Sequence, residues 1–208
     1  MKGSSRGKDL RRAIACVVDG ETEVWYLNML KRNEPSLRGL AIKPELPQKK
    51  SVQEQFCCVK ALSKAYSEVI WIVDTDTIIR ETRQFAGKGP SPKEKLKECL
   101  TKLPCNVAFI ANTPCLEFWF LLHMIRTTKY YDSCESVIRE MEKYPVLPGY
   151  EKTRRYFTAE GNDIYSRLRS YLPTAMNHAR ATGRFDANQL ERGYSNMHEL
   201  FEILGIAQ

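Results

Sequence analysis

The sequence lacks the features that would place it in several large classes of protein. No apolar run approaches the roughly 18–20 residues that a membrane-spanning helix needs, and residues 1–12 lack the apolar centre of a secretory signal. We therefore expect a cytoplasmic protein without membrane contact. No GxGxxG follows a predicted strand, and residues 87–89 lack the remainder of a P-loop, so neither a dinucleotide cofactor nor ATP hydrolysis is expected.

Cysteine pairs with metal-binding spacing are absent as well. The seven cysteines include no CxxC pair, so we do not expect a structural zinc site. Their number is odd and most lie in apolar stretches, where a thiol behaves as a small hydrophobic side chain, so we expect them to be reduced. No GxSxG motif occurs and no cysteine has a base at motif spacing, which leaves no candidate nucleophile of those types.

The composition is that of a folded protein with an excess of positive charge. The 208 residues are 43% hydrophobic, 10% aromatic and 27% charged, as in ordinary globular chains. The net charge of +7 is concentrated in residues 1–12, with five Lys/Arg against one Asp, and in residues 152–192, with eight Lys/Arg against four acidic residues. This distribution suits a polyanionic partner such as nucleic acid, and a charged surface that aids solubility explains it equally well.

Apolar runs that alternate with helical patterns organise the first part of the chain. Strands are predicted at 13–18, 41–46, 69–73 and 105–111, and Pro44 puts the second at a sheet edge. Helices are predicted after the first strand, after the caps Ser51 and Ser91, and from Asn112-Thr113-Pro114, with a loop at 77–90. This alternation predicts an α/β fold with a mostly parallel sheet.

Beyond residue 127 the pattern is helical, interrupted by turns, with no convincing strand. We therefore expect a basic N-terminal arm at 1–12 and an α/β domain at 13–127. A helical C-terminal appendage at 128–208 is expected to pack on the sheet domain. No internal repeat divides the chain further.

Carboxylates follow two of the predicted strands at the point where each strand ends. Glu21 comes shortly after the first strand, and Asp74 and Asp76 follow the third. The carboxyl ends of parallel strands meet at one edge of the sheet, and side chains two apart on an extended segment point the same way. We expect these three groups to converge on Mg²⁺ or Mn²⁺ for phosphoryl chemistry. The alternative is that the two aspartates simply end a strand and start a turn.

The segment 112–123 is apolar almost throughout, yet it holds one carboxylate and one imidazole. Buried ionisable groups are costly unless they are paired or used, so Glu117 and His123 are candidate site residues. Glu117 would gain from the helix N-terminus and could reach the strand-end site. His123 lies about 120° around the helix from Glu117, and a hydrogen-bonded core histidine is an equal alternative for it.

These motifs together resemble the RloB-like family. The resemblance rests on Asp19-Gly20-Glu21-Thr22-Glu23, Asp74-Thr75-Asp76, Asn112-x-Pro114-Cys115-Leu116-Glu117-Phe118-Trp119-x-Leu121-Leu122-His123, and Tyr150-x-Lys152. It covers most of the chain. The family is similar to Toprim-type nucleases of phage-defence and abortive-infection loci, so the resemblance implies a Toprim/Rossmann-like sheet and a metal-dependent nuclease.

The resemblance also implies roles for individual residues. Glu21 would be the acid/base residue and a metal ligand, and Asp74 and Asp76 would complete the Mg²⁺ site. Glu117 would be a further catalytic residue. Asp19, where the family usually has Glu, would support the site from behind the ligands.

Phosphate contacts would come from the basic C-terminal part of the chain. The resemblance suggests Lys152 for this role, and Arg154 and Arg155 stand beside it in the basic segment. His123 would support the site from a second layer. Aromatic side chains between 150 and 171 could stack on bases, although such residues more often belong to the core.

The sequence also leads to expectations about binding partners and leaves two alternative functions open. The resemblance implies an RNA substrate such as tRNA and a separately encoded AAA- or ABC-type ATPase, and the oligomeric state is open, a homo-oligomer included. Residues 72–78 are also similar to the haloacid-dehalogenase phosphatase signature, in which Asp74 would be the nucleophile and Asp76 the acid/base group. A non-catalytic module that binds nucleic acid or regulates a partner is the third alternative.

Overall fold

A five-stranded sheet forms the centre of the described part of the chain. The computed structural model describes residues 13–37, 41–45 and 51–206, so the basic arm predicted at 1–12 lies outside it. The strands are β1 (Ala13–Val17), β2 (Ala41–Glu45), β3 (Glu68–Asp74), β4 (Val107–Thr113) and β5 (Tyr194–Ser195), in the order β2-β1-β3-β4-β5. Strands β1 to β4 run parallel to one another, and β5 is antiparallel to β4. This arrangement confirms the predicted α/β class.

The helices cover both faces of this sheet. They are α1 (Glu21–Asn33), α2 (Val52–Leu62), α3 (Asp76–Gln84), α4 (Pro92–Thr101), α5 (Leu116–Leu122), α6 (Cys134–Met141), α7 (Arg154–Phe157), α8 (Ile164–Leu168), α9 (Leu172–Arg180) and α10 (Met197–Leu204). Side chains of β3 alternate between two hydrophobic clusters, with Ile70 and Ile72 in one and Trp71 and Val73 in the other. Helices α1 and α5 to α10 contribute to the first cluster, and α2 to α4 to the second.

Local signals in the sequence account for several of these elements. Ser51 and Ser91 each form a capping box with the glutamate three residues later, so two backbone donors are satisfied at the start of α2 and of α4. Strand β2, which contains Pro44, lies at the edge of the sheet as predicted, where a missing backbone donor is tolerated.

Two predicted boundaries near the sheet edge are wrong. Helix α3 occupies residues predicted as a loop, because Ile78 and Ile79 pack into the second hydrophobic cluster. The helix predicted from Asn112 starts only at Leu116, since Asn112 and Thr113 pair as the last residues of β4. The Thr113–Pro114 peptide bond that follows is cis.

The C-terminal part of the chain contributes a strand, which the sequence did not predict. Strand β5 pairs with the end of β4, and Ser195 Oγ donates to Asn112 Oδ1 at 2.8 Å. Gly193 precedes it because a Cβ there would collide with the Lys129 carbonyl and the Phe118 ring. Two residues are too few to show the alternation that identifies a strand. None of the helices described here is long and apolar enough to cross a membrane.

Candidate functional site

Three carboxylates meet where the parallel strands end, and we call Asp19, Glu23 and Asp74 the carboxylate cluster. Asp19 lies two residues beyond the end of β1, Glu23 in the first turn of α1, and Asp74 at the end of β3. Strands β1 and β3 are hydrogen-bonded neighbours, so their carboxyl ends bring these side chains to one edge. Asp19 and Asp74 line the same cavity of about 300 Å³.

Asp74 is held in place by the segment that follows β4. Its Oδ2 accepts a hydrogen bond from the Leu116 amide at 3.1 Å, and its Oδ1 accepts one from Asn112 Nδ2 at 3.3 Å. Burial raises the pKa of Asp74 well above its usual range, and the charges of Glu23, Asp19 and Glu117 raise it further, while the Leu116 amide opposes them. Two hydrogen-bond donors therefore fix the orientation of Asp74, while burial and the neighbouring carboxylates make its ionised form less stable.

Glu23 turns its carboxylate inward, with only 2% of the residue exposed. Burial raises its pKa to about 7, and the negative charges of Glu117 and Asp19 raise the pKa further. A hydrogen bond from its own backbone amide and the positive charge of Lys152 lower the pKa in part. Gly20 leaves room for this side chain, because a Cβ at that position would lie 3.0 Å from Glu23 Oε2. A carboxylate with this pKa can take up or release a proton near neutral pH.

Asp19 is oriented by a buried amide. Gln55 Nε2 donates to Asp19 Oδ1 at 2.7 Å, while Gln55 Oε1 accepts from Trp71 Nε1 at 2.8 Å. Trp71 therefore fixes which end of the Gln55 amide faces Asp19. Because Asp19 lines the cavity itself, the structure puts it in the cluster and not behind it.

Glu117 belongs to a second group beside the cluster, which also contains Tyr150 and Lys152. Glu117 is fully buried, and its Oε1 accepts from the Tyr150 hydroxyl at 2.6 Å and from Lys152 Nζ at 3.0 Å. Burial lowers the pKa of Lys152, but the carboxylate of Glu117 and the charges of Asp74 and Glu23 outweigh it, so that the pKa is raised. Burial and Glu117 also raise the pKa of Tyr150 above its usual range. Lys152 is therefore a cation and Tyr150 a neutral donor at neutral pH, and 41% of the lysine side chain is exposed.

Two predicted ligands are placed differently from the expectation. Glu21 is the first residue of α1 and is exposed, because it lies about 200° around the helix from the inward-facing Glu23. Asp76 is the first residue of α3, and its Oδ1 accepts from the Thr77 amide. The chain leaves the extended conformation at Thr75, where φ is −93° and ψ is −7°, so side-chain alternation does not carry over from Asp74 to Asp76.

His123, Arg154 and Arg155 lie outside the carboxylate cluster. His123 ends α5, about 9 Å along the helix axis from Glu117, and its Nδ1 bonds to the Trp119 carbonyl at 3.0 Å. Burial lowers the pKa of His123 to about 4, so it is a neutral core histidine at neutral pH, the alternative that the sequence left open. Arg154 and Arg155 are exposed at the start of α7.

A disulfide between Cys115 and Cys134 adjoins Glu117. The expectation that all seven cysteines are reduced is therefore wrong for these two, which are 19 residues apart in sequence but meet at the first turns of α5 and α6. Cys134 Sγ lies 3.2 Å from Glu117 Oε2 and 3.3 Å from Lys152 Nζ. The other five cysteines are free thiols.

Glu23 is the site residue that the sequence analysis missed, although a signal for it exists. It precedes Tyr26, Leu27 and Leu30 by three, four and seven residues, which is the spacing of one helical face, and those three residues are buried. A carboxylate on the apolar face of a helix is the same kind of signal that identified Glu117. The cysteine pair had no comparable signal, because its spacing matches no motif.

The donor chemistry of the cluster fits a hard divalent cation. All of its donors are carboxylate oxygens, the ligands that hard divalent cations prefer, and the nearby ammonium of Lys152 pairs with Glu117. Within residues 13–37 and 51–206, the cluster oxygens do not all lie within 4.8 Å of one another. Mg²⁺ commonly keeps several waters and binds through one or two carboxylates, so it does not need all three groups as ligands.

Comparison with known proteins places the chain in a family. The family model described as RloB-like protein matches residues 14–204, a span that contains the carboxylate cluster, Glu117, Tyr150 and Lys152. No curated protein and no solved structure matches the chain. Because the family model covers nearly the whole sequence, the chain belongs to the RloB-like family.

Proposed function

We propose that this chain is a metal-dependent phosphodiesterase that cleaves nucleic acid, with RNA such as tRNA as the favoured substrate. The observation that carries the proposal is the carboxylate cluster at the carboxyl edge of the parallel sheet, with the half-exposed cation Lys152 beside it. Acidic oxygens that hold a cation and an ammonium that binds a phosphate are two common means of stabilising charge in phosphoryl transfer.

Asp19 and Asp74 would hold Mg²⁺ or Mn²⁺ in this proposal. They line one cavity, and each is oriented by a hydrogen-bond donor from a neighbouring element. When bound, such an ion polarises the phosphate and stabilises the leaving oxygen. Asp76, whose carboxylate accepts from the Thr77 amide at the start of α3, is not assigned a ligand role.

Glu23 and Lys152 supply the remaining chemistry of the proposal. Glu23 exchanges a proton with the attacking or leaving oxygen, since its pKa of about 7 lies near the working pH. Lys152 binds a phosphate oxygen through its exposed ammonium. Glu117 and Tyr150 act as positioning residues, because Glu117 Oε1 accepts from Lys152 Nζ and the Tyr150 hydroxyl donates to the same oxygen.

The exposed basic side chains supply the nucleic-acid contacts that the proposal needs. Arg154 and Arg155 are exposed two and three residues beyond Lys152, so they are suited to bind neighbouring phosphates. Tyr171, which is 42% exposed, is available for stacking on a base, whereas Phe157 and Tyr165 are buried in the core.

A role in phage defence completes the proposal. The motifs shared with the RloB-like family support a function as the effector of an abortive-infection system, together with a separately encoded AAA- or ABC-type ATPase. The ATPase would hold or release the nuclease activity.

Incubation of the purified protein with total cellular RNA and with plasmid DNA tests the proposal. We expect cleavage of RNA in Mg²⁺ or Mn²⁺, none in excess chelator, and a loss of about 100-fold or more in Asp74→Asn. Salt-sensitive binding without metal-dependent cleavage would instead support the non-catalytic module. Turnover of small phosphomonoesters that is lost in Asp76→Asn would support the phosphatase alternative.

A further inference from the structure

The Cys115–Cys134 pair has surroundings that the proposed hydrolysis does not use. Cys115 caps α5 and Cys134 is the first residue of α6, so the bond joins the starts of two helices. The next residue after Cys115 donates its amide to Asp74, and Glu117 follows one residue later. A covalent change at this pair therefore acts directly beside the residues that orient Asp74 and Lys152.

Cys134 lies between opposite charges: the carboxylate of Glu117, 3.2 Å from the sulfur, opposes a thiolate, and two features on the other side offset it. Lys152 Nζ lies 3.3 Å from the sulfur, and the position at the N-terminus of α6 adds the favourable end of the helix dipole. Cys134 itself is 7% exposed, and the side chain of Lys152 beside it is 41% exposed. The buried Cys16, by contrast, has no such cation, and burial raises its pKa to about 12.

We propose that Cys115 and Cys134 form a reversible dithiol–disulfide site that reacts with low-molecular-weight disulfides and thereby changes the hydrogen bonding of Glu117. The proposal goes beyond the proposed function and does not require it, because thiol oxidation is measured without a nucleic-acid substrate.

The chemistry proceeds by two exchange steps. The Cys134 thiolate attacks the disulfide RSSR, forms a mixed disulfide and releases one RS⁻. The Cys115 thiolate then attacks Cys134 Sγ, closes the internal disulfide and releases the second RS⁻. The two cysteines lose two electrons and two protons in total, and RSSR becomes two RSH.

Oxidation would alter the environment of Glu117. A reduced Cys134 thiol can donate to Glu117 Oε2, which lies 3.2 Å from the sulfur, and a thiolate would instead compete for Lys152. The sulfur of a disulfide has no proton to donate and no negative charge, so of these two neighbours only Glu117 then offers Lys152 an anionic partner. The redox state therefore sets how firmly the cation beside the carboxylate cluster is held.

A redox titration of the whole chain tests this proposal. The protein is equilibrated in glutathione buffers from fully reduced to fully oxidised, quenched with acid, alkylated and analysed by peptide mass spectrometry. We expect Cys115 and Cys134 to convert together to one internal disulfide, and to return when the buffer is made reducing. Oxidation should also raise Tm by about 5–10 °C, since it closes a loop between the two helices.

Variants separate this site from general thiol chemistry. Lys152→Gln should slow closure of the disulfide about three- to tenfold, because the thiolate loses its cation. Cys105→Ser, at an exposed free thiol, should leave the transition unchanged. The proposal is overturned if both thiols stay alkylatable across the range, if Cys134 stops at a mixed disulfide with glutathione, or if no buffer reduces the bond in the folded protein.

Discussion

Glu23 is a residue at which stability and the proposed function conflict. Its folded-state pKa of about 7 exceeds the ordinary value of 4.5, so the folded chain binds more protons than the unfolded chain between these pH values. The stabilisation from Glu23 is thus complete below about pH 4.5 and is lost as the pH rises through 7. At neutral pH without a divalent cation, the ionised side chain destabilises the fold.

Removing this charge should stabilise the protein. Glu23→Gln should raise the free energy of unfolding at pH 7.5 in chelator by about 1–3 kcal/mol, because the amide carries no charge to desolvate. At pH 4 the variant and the wild type should be equally stable to within about 0.5 kcal/mol. Urea unfolding at the two pH values measures the difference.

Glu21→Gln is the matched control for that measurement. Glu21 has the same side chain two residues earlier but is exposed, so the substitution should change stability by less than about 0.5 kcal/mol at either pH. A Glu23→Gln protein that is less stable than wild type at pH 7.5 would contradict the electrostatic account of this residue.

Helices and strands were predictable from the sequence where the residues that specify them lie close together along the chain. The apolar run of β3 and the capping boxes of α2 and α4 are signals of that kind. The late start of α5 and the strand β5 depend on pairing between residues about 80 apart, which no local pattern reports. Glu23 is a different case, because its local signal was present: it lies on the same helical face as the buried residues Tyr26, Leu27 and Leu30, and the helical spacing separates it from the exposed Glu21.

The attachment of β5 should depend on Asn196. Its Oδ1 accepts from the Ala111 amide at 2.8 Å and its Nδ2 donates to the Phe109 carbonyl at 3.0 Å, so one side chain satisfies two backbone groups of β4. Asn196→Ala should destabilise the protein by about 2–3 kcal/mol, because it leaves buried polar groups without partners.

Chemical denaturation, with Asn188→Ala as the control, measures this effect. Asn188 is exposed and its amide contacts only the nearby Asp186 in the described structure, so its loss should cost less than about 0.5 kcal/mol. Equal stability of the two variants would show that β5 is not anchored through Asn196.

At the scale of the whole molecule, opposite charges are separated between the sheet edge and the surface beside it. The carboxylate cluster is negative, Lys152 stands at its border, and Arg154 and Arg155 are exposed beyond it. The sequence predicted the sheet and carboxylates at its edge, and the family resemblance pointed to Asp74, Glu117 and Lys152, which the structure brings close together. It did not predict the ion pair between Glu117 and Lys152, because these residues are 35 positions apart in sequence and meet only in the folded chain.

Loss of the two arginines should weaken nucleic-acid binding without unfolding the protein. The double variant Arg154→Ala/Arg155→Ala should bind RNA about 3- to 30-fold less tightly at moderate salt, with a salt dependence reduced by about one to two phosphate contacts. Fluorescence anisotropy over a range of salt concentrations measures both quantities. Lys102→Ala, at an exposed lysine that pairs with Glu98, is the control, and an equal loss there would indicate non-specific charge effects.

The comparison of Glu23→Gln with Glu21→Gln in metal-dependent RNA cleavage tests the central claim most directly. The claim is that the buried carboxylate of α1, and not the exposed one two residues earlier, works with Asp19 and Asp74. The account predicts that Glu23→Gln lowers the cleavage rate in Mg²⁺ about 100-fold or more, while Glu21→Gln stays within about threefold of wild type. Loss of cleavage in Glu21→Gln with activity retained in Glu23→Gln would contradict it.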